Sequence, residues 1–177
     1  GASTTKLLTA VTSLATLGST TRFPTTVLDG RRATEVVLHG GGDPMLTSAQ
    51  VSALARTTAK ALASRAPAAG AATTFRITVK VDDTLYPVPT RAVGWPAHYL
   101  PYVVAPVRPL IRDLRNSWDS AKDVGTYFAA RLAVELKAAL PARTDLAVSA
   151  AYSGKMAAAE GAPVVARFAG NTSASAL

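Results

Sequence analysis

The sequence contains no cysteine, which excludes disulfides, thiolate metal sites and a cysteine nucleophile. It contains only two histidines, His39 and His98, which lie far apart with no carboxylates at a recognisable ligand spacing. We therefore expect neither a metal nor another cofactor. No uninterrupted run of about 18 apolar residues occurs, so no membrane span is expected. The chain also lacks the basic cluster and apolar run of a signal peptide, an absence that a mature secreted chain would share.

The charge balance is strongly basic, with 19 Lys and Arg residues against 11 Asp and Glu residues and a net charge of +8. Such a surface favours an anionic neighbour: nucleic acid, an acidic lipid face or a charged wall polymer. The basic residues are scattered, however, and Arg31-Arg32 is the densest pair. No basic run with interleaved aromatic residues occurs, as a surface for single-stranded nucleic acid would require. We therefore expect no nucleic-acid partner, and keep a basic α/β nucleic-acid-binding domain as an alternative.

Hydrophobic periodicity predicts a mixture of helices and strands. The pattern predicts helices over residues 4–17, 47–65 and 120–140, a hairpin of residues 25–28 and 35–38, and strands over 75–81, 145–149 and 164–168. A strand, a helix and a second strand in succession indicate a βαβ unit with parallel pairing, so the fold class is α/β. Residues 82–110 are rich in proline and aromatic residues, and anchoring of this loop to the domain surface is favoured over ligand binding.

The first residues of the chain carry its best candidate for catalysis. Ser3 and Lys6 are three residues apart at the start of the first predicted helix, so their side chains share one face. Ser3 is expected at the N-cap or in the first turn. A serine hydroxyl becomes a good nucleophile when a neighbouring base removes its proton. A lysine can be that base only if its amine is neutral for part of the time, which burial and the positive end of the helix dipole favour. Free N–H groups at the same helix start suit an oxyanion, so the pattern predicts acyl transfer through a serine ester.

Several stretches, in order, resemble the DacB-type penicillin-binding proteins, which are D-alanyl-D-alanine carboxypeptidases of peptidase family S13. They are residues 2–10 (ASTTKLLTA), 40–47 (GGGDPMLT), 81–86 (VDDTLY), 94–96 (GWP) and 105–110 (APVRPL). The likeness is good up to about residue 115 and loose beyond it. Agreement across five ordered stretches is far more specific than the Ser-x-x-Lys spacing alone.

This resemblance implies that Ser3 is the acylated nucleophile and Lys6 its proton-transfer partner. The implied reaction removes the terminal D-alanine from peptidoglycan stem peptides or cleaves a peptide cross-link, outside the cytoplasm of a bacterium, and β-lactams would acylate Ser3. The implied fold is part of a serine transpeptidase-like (β-lactamase/penicillin-binding) domain, beginning at the nucleophile helix, with an inserted, Rossmann-like α/β domain. Residues 1–46 would belong to the catalytic domain and residues 47–177 to the insertion.

The chain departs from the family pattern in its later motifs. Neither Ser-x-Asn nor Lys-Thr-Gly occurs, and Ser153-Gly154-Lys155 and Asn171-Thr172-Ser173 only echo their compositions. The family also places strands before the nucleophile helix. We therefore expect a fragment that ends shortly before the second motif and has negligible carboxypeptidase activity by itself. A non-catalytic envelope-binding or scaffold module is the alternative, which an exposed Lys6 would favour and a buried, unpaired Lys6 would disfavour.

Overall fold

A computed structural model describes residues 3–67, 74–86, 94–99, 103, 106–115, 119–152 and 161–176. The helices are α1 (Thr5–Leu17), α2 (Ser48–Ala63), α3 (Ser120–Ala139) and the short α4 (Ser173–Ala176). The strands are β1 (Thr25–Asp29), β2 (Glu35–His39), β3 (Arg76–Asp82), β4 (Ala147–Ala151) and β5 (Val164–Phe168). Every helix and strand that periodicity predicts is therefore present, with ends displaced by a few residues at most.

The five strands form one mixed sheet in the order β4-β3-β2-β1-β5. Strands β2, β3 and β4 are parallel neighbours, and α2 and α3 are the crossover helices between them. Strand β1 runs antiparallel to both β2 and β5. The predicted hairpin, the parallel βαβ unit and the α/β fold class are thus confirmed.

The core lies between one face of the sheet and the two long helices. In the sheet, Val36 pairs with Val79 and Leu38 with Val81, and all four side chains are buried. Successive crossovers in one direction are right-handed and place their helices on the same face, and α2 and α3 contact each other there. Their buried apolar residues include Val51, Leu54, Ala55, Leu62, Val124, Phe128, Leu132 and Leu136.

The start of α2 is fixed by two separate sets of hydrogen bonds. Thr47 and Gln50 form a capping box, because each side chain bonds the backbone N–H of the other residue. The carboxylate of Asp113 also accepts hydrogen bonds from the N–H and hydroxyl of Ser48. Thr47 and Gln50 are three residues apart, whereas Ser48 and Asp113 are 65 positions apart, so no local sequence pattern indicates the contribution of Asp113.

Parts of the loop over residues 82–110 lie outside the described residues, including Pro87, Pro89, Pro101 and Tyr102. In its described part, Ala97–Tyr99 forms a 3-10 turn, and the rings of Trp95 and Tyr99 meet edge to face with centroids 5.8 Å apart. Among the described residues, no helix is long and apolar enough to cross a membrane.

Candidate active site

Ser3 and Lys6 lie at the two ends of the hydrogen-bonded turn that leads into α1. The N–H of Lys6 donates to the carbonyl of Ser3 at 3.1 Å, and the N–H of Leu7 donates to the carbonyl of Thr4 at 3.0 Å. The N-cap position belongs to Thr4, whose side chain makes no capping hydrogen bond. Ser3 was expected at the N-cap or in the first turn. It instead lies one residue before the N-cap, although its carbonyl takes part in the opening turn.

Lys6 lies in the first turn of α1, and both it and Ser3 are exposed. The burial that would favour a neutral amine is thus not provided by the residues that the structure describes, and this part of the expectation is wrong. The physical reason is the position of α1, which buries none of its residues. Its apolar side chains Leu7, Leu8 and Val11 are 67%, 70% and 66% exposed.

The C-terminal end of α1 is the end that is attached to the sheet. Gly18, with a φ of 77°, ends the helix, and its carbonyl accepts a hydrogen bond from the hydroxyl of Ser173. The N–H of Ser173 donates to the carbonyl of Thr21 at 2.8 Å, and Arg22 and Thr172 form an isolated β-bridge. The helix that carries the candidate pair is therefore held by the segment that follows β5.

That segment is held in turn by the glycine-rich loop at residues 40–44. The buried carboxylate of Asp43 accepts hydrogen bonds from the N–H and the side-chain amide of Asn171, both at 2.9 Å, and from the N–H of Met45 at 2.9 Å. Glycine is required in this loop, because a Cβ at Gly41 would overlap the carbonyl oxygen of Pro24. The loop is thus packed closely by protein atoms and serves as a joint between chain segments.

Two further buried carboxylates, Asp82 and Asp83, lie where β3 ends. Asp82 lies 3.1 Å from Nδ1 of His39 and accepts hydrogen bonds from the N–H and hydroxyl of Thr84, at 3.0 and 2.7 Å. Both Asp82 and its neighbour Asp83 are buried. Because protein donors engage Asp82, these contacts fix the turn after β3.

Asp83 accepts a hydrogen bond from the hydroxyl of Tyr152 at 2.8 Å and forms an ion pair with Arg108 at 3.5 Å. Burial, followed by the hydrogen bond to Asp83, raises the pKa of the Tyr152 hydroxyl. The tyrosine therefore keeps its proton over the neutral range and continues to donate it to Asp83. This contact joins the end of β4 to the turn after β3.

Three of the five stretches that carry the family resemblance thus meet at one end of the sheet. Residues 40–46, 82–86 and 108–110 follow or flank the carboxyl ends of the parallel strands, and Asp43 and Leu110 form a β-bridge between two of them. The segment at Asn171, which the sequence left without a role, completes this end. The described residues contain no group of three or more His, Asp or Glu side chains that could hold a metal ion.

Comparison with known proteins identifies the family of this chain. The sequence pattern of the D-Ala-D-Ala carboxypeptidase 3 (S13) family matches residues 1–158. The chain belongs to this family, as the ordered stretches predicted.

Among solved structures, the fold is similar to the crystal structure of penicillin binding protein 4 (dacB) from Haemophilus influenzae. The TM-score is 0.63 at 14% identity, and the alignment covers 97% of this chain and 51% of that protein. The chain therefore spans about half the length of this structural relative. None of the curated proteins matches the sequence.

Proposed function

We propose that this chain supplies the nucleophile and the base of a serine D-alanyl-D-alanine carboxypeptidase or endopeptidase acting on peptidoglycan stem peptides outside the cytoplasm. The observation that carries the proposal is the family match over residues 1–158, which includes the Ser3–Lys6 pair. The hydrogen-bonded turn between Ser3 and Lys6 supports it, because a nucleophile and its base must be held close together.

In the proposed reaction, the hydroxyl oxygen of Ser3 attacks the carbonyl carbon between the two D-alanine residues. The amine of Lys6 accepts the hydroxyl proton and returns a proton to the departing amine of the terminal D-alanine. Water then hydrolyses the serine ester and regenerates Ser3. A β-lactam would acylate the same oxygen, and its ring opening would replace loss of D-alanine.

The chain by itself is proposed to be inactive. It contains neither Ser-x-Asn nor Lys-Thr-Gly, the motifs that the family resemblance pairs with Ser-x-x-Lys. The exposure of Lys6 supports the same conclusion, because the described residues do not provide the desolvated environment that a lysine base requires.

The division of the chain into a catalytic part, residues 1–46, and an inserted part, residues 47–177, remains a prediction. A boundary at this position would run through a single sheet, because β1 and β2 precede it and β3, β4 and β5 follow it. The two parts would then share one core while serving different roles.

A non-catalytic envelope-binding or scaffold module is the second candidate function. The exposure of Lys6 is the specific observation that favours it, since a lysine that acts as base would be expected to be desolvated. Under this alternative, the sheet and its two helices are the functional part, and α1 only connects them to other parts of a protein.

A labelled β-lactam tests the proposal when it is applied to two proteins: this 177-residue chain and a longer chain that also carries Ser-x-Asn and Lys-Thr-Gly. We expect negligible labelling of the first and strong labelling of the second, with the adduct on Ser3. Ser3→Ala should abolish the labelling, Lys6→Ala should slow it about 100-fold or more, and Ser13→Ala, also on α1, should leave it unchanged. Strong labelling of the 177-residue chain would overturn its proposed inactivity. A longer chain that is not labelled, or an adduct on another residue, would favour the scaffold alternative.

A further inference from the structure

A cleft of about 410 Å³ lies at the end of the sheet opposite the attachment of α1. It is bounded by the β1–β2 turn, by the end of α2 and by the residues that lead into β3. Its lining includes Arg31, Arg32, Leu62, Arg65, Phe75 and Arg143. This volume lies within the usual range of ligand sites, roughly 300–1,000 Å³.

The lining is strongly basic, with four arginines and a single aspartate. Two of these arginines are already neutralised by protein groups. Arg143 is buried and donates two hydrogen bonds to the carboxylate of Asp145, both at 3.0 Å, and a third to the carbonyl of Pro67 at 3.2 Å. The guanidinium of Arg65 donates a hydrogen bond to the carboxylate of Asp29 at 2.7 Å. Their guanidinium groups are therefore held by protein acceptors and are not available to bind a ligand.

The other two arginines, in the β1–β2 turn, are not neutralised in this way. Among the described residues, Arg31 forms no ion pair. Arg32 lies 3.8 Å from the carboxylate of Glu35, but this carboxylate is 3.0 Å from the amine of Lys80, which is the closer partner. The side chain of Arg32 is 80% exposed. The turn therefore presents two guanidinium groups with little competing negative charge.

The floor of the cleft is apolar. Leu62 and Phe75 are both buried, and the guanidinium of Arg143 lies over the Phe75 ring, 5.0 Å from its centroid. A cleft with an apolar floor and cations at its edge matches a ligand with a neutral body and one anionic group. Arginine recognises carboxylate and phosphate groups through two parallel hydrogen bonds.

We propose that this cleft binds a carboxylate- or phosphate-bearing ligand, with Arg31 and Arg32 holding the anionic group and Phe75 and Leu62 contacting the neutral body. This site lies at the opposite end of the sheet from the attachment of α1, and its proposed binding role does not depend on acyl transfer at Ser3. The β1–β2 turn and the end of α2 meet here, which brings Arg31 and Arg32 to the edge of the cleft.

Two probes distinguish the sources of the anion: inorganic phosphate, and a disaccharide–tetrapeptide with free carboxylates. Each is titrated into the 15N-labelled 177-residue chain, with the amide signals of Gly30, Ala33 and Thr34 as the readout. We expect at least one probe to shift these signals saturably, and the Arg31→Gln/Arg32→Gln variant to weaken that binding about tenfold or more. The tighter probe identifies the source.

The matched control is Arg115→Gln/Lys122→Gln, which removes the same charge from exposed residues near the starts of α2 and α3, at the other end of the sheet. It should change binding less than twofold. Both variants change exposed side chains, and unchanged amide signals in the core confirm that each remains folded. The proposal is overturned if neither probe shifts the signals of the turn, or if the two variants weaken binding equally, which would indicate a response to net charge alone.

Discussion

Asp43 holds Asn171 through two hydrogen bonds to a single carboxylate oxygen, one from the backbone N–H and one from the side-chain amide, both at 2.9 Å. The two residues are 128 positions apart in the sequence. Asp43 follows the strand β2, and Asn171 leads to Ser173, which bonds the end of α1. The contact therefore couples the sheet to the helix that carries Ser3 and Lys6.

Asp43→Ala is expected to lower the free energy of unfolding by about 2–4 kcal/mol. Asp43 is 2% exposed and accepts three hydrogen bonds, so its removal leaves the N–H groups of Met45 and Asn171 and the side-chain amide of Asn171 without their acceptor. Urea unfolding of the chain measures the change. Asp119→Ala is the control, because Asp119 is exposed and makes no side-chain hydrogen bond to the start of α3. Similar losses for the two variants would show that the joint contributes no special stability.

Arg112→Met is expected to cost about 1–3 kcal/mol, because one guanidinium joins the starts of the two long helices. It donates to the hydroxyl of Ser48 at 2.8 Å, lies 2.8 Å from the carboxylate of Asp123, and stacks 4.3 Å from the ring centroid of Tyr127. The side chain of Arg112 is 11% exposed, whereas that of Asp123 is 42% exposed. Because solvent screens the ion pair at Asp123, losing this pair should lower the free energy of unfolding only modestly.

Methionine keeps most of the apolar stem of Arg112, so Arg112→Met tests the charged contacts more than the packing. The same change at exposed Arg115 should alter the free energy of unfolding by less than about 0.5 kcal/mol. Thermal and urea unfolding both provide the comparison. If Arg112→Met is as stable as the wild type, the contacts of the guanidinium only compensate for the free energy lost when it is buried.

Much of this fold could be predicted from local sequence patterns, but contacts between distant segments could not. Hydrophobic periodicity predicted β3 and the extent of α1 to within a few residues. The contact between Asp43 and Asn171 could not be predicted, because a hydrogen bond between segments that meet only in the folded chain has no sequence periodicity. The exposure of Lys6 was missed for the same reason: its burial depends on what packs against α1, not on α1 itself.

The stability of the chain is expected to fall in acid as Asp113 becomes protonated. Hydrogen bonds from the hydroxyl and N–H of Ser48 lower the pKa of the Asp113 carboxyl from its ordinary value. A carboxyl with a lower pKa in the folded chain stabilises the fold above its unfolded pKa, near 3.9, and this contribution is lost as the pH falls through the folded value. The loss is thus expected below about pH 4. Asp145, whose pKa is lowered mainly by the hydrogen bond from Arg143, acts in the same direction.

Asp113→Asn isolates this contribution, because asparagine accepts the positive φ of 49° at this position while it cannot titrate. The variant should be less stable than the wild type at pH 6, and the difference should shrink as the pH falls from 4 to 2. Urea midpoints measured across this range provide the test. A constant difference between the two proteins would mean that the Asp113 charge does not stabilise the start of α2.

The exposed helix α1 is expected to be the least protected helix of the isolated chain. Its 13 residues include none that is buried, and helices shorter than about 12–15 residues are marginal in water without packing. Its amides in the turn at Lys6 should therefore exchange with solvent nearly as fast as in an unfolded peptide, whereas amides in α2 should exchange only through global unfolding.

Leu8→Ser should change the free energy of unfolding by less than about 0.5 kcal/mol, against about 2–5 kcal/mol for Leu54→Ala in the core. If α1 is instead strongly protected, or if Leu8→Ser costs as much as Leu54→Ala, its apolar face is covered in solution, and Ser3 and Lys6 are then held more rigidly than the contacts of the described residues indicate.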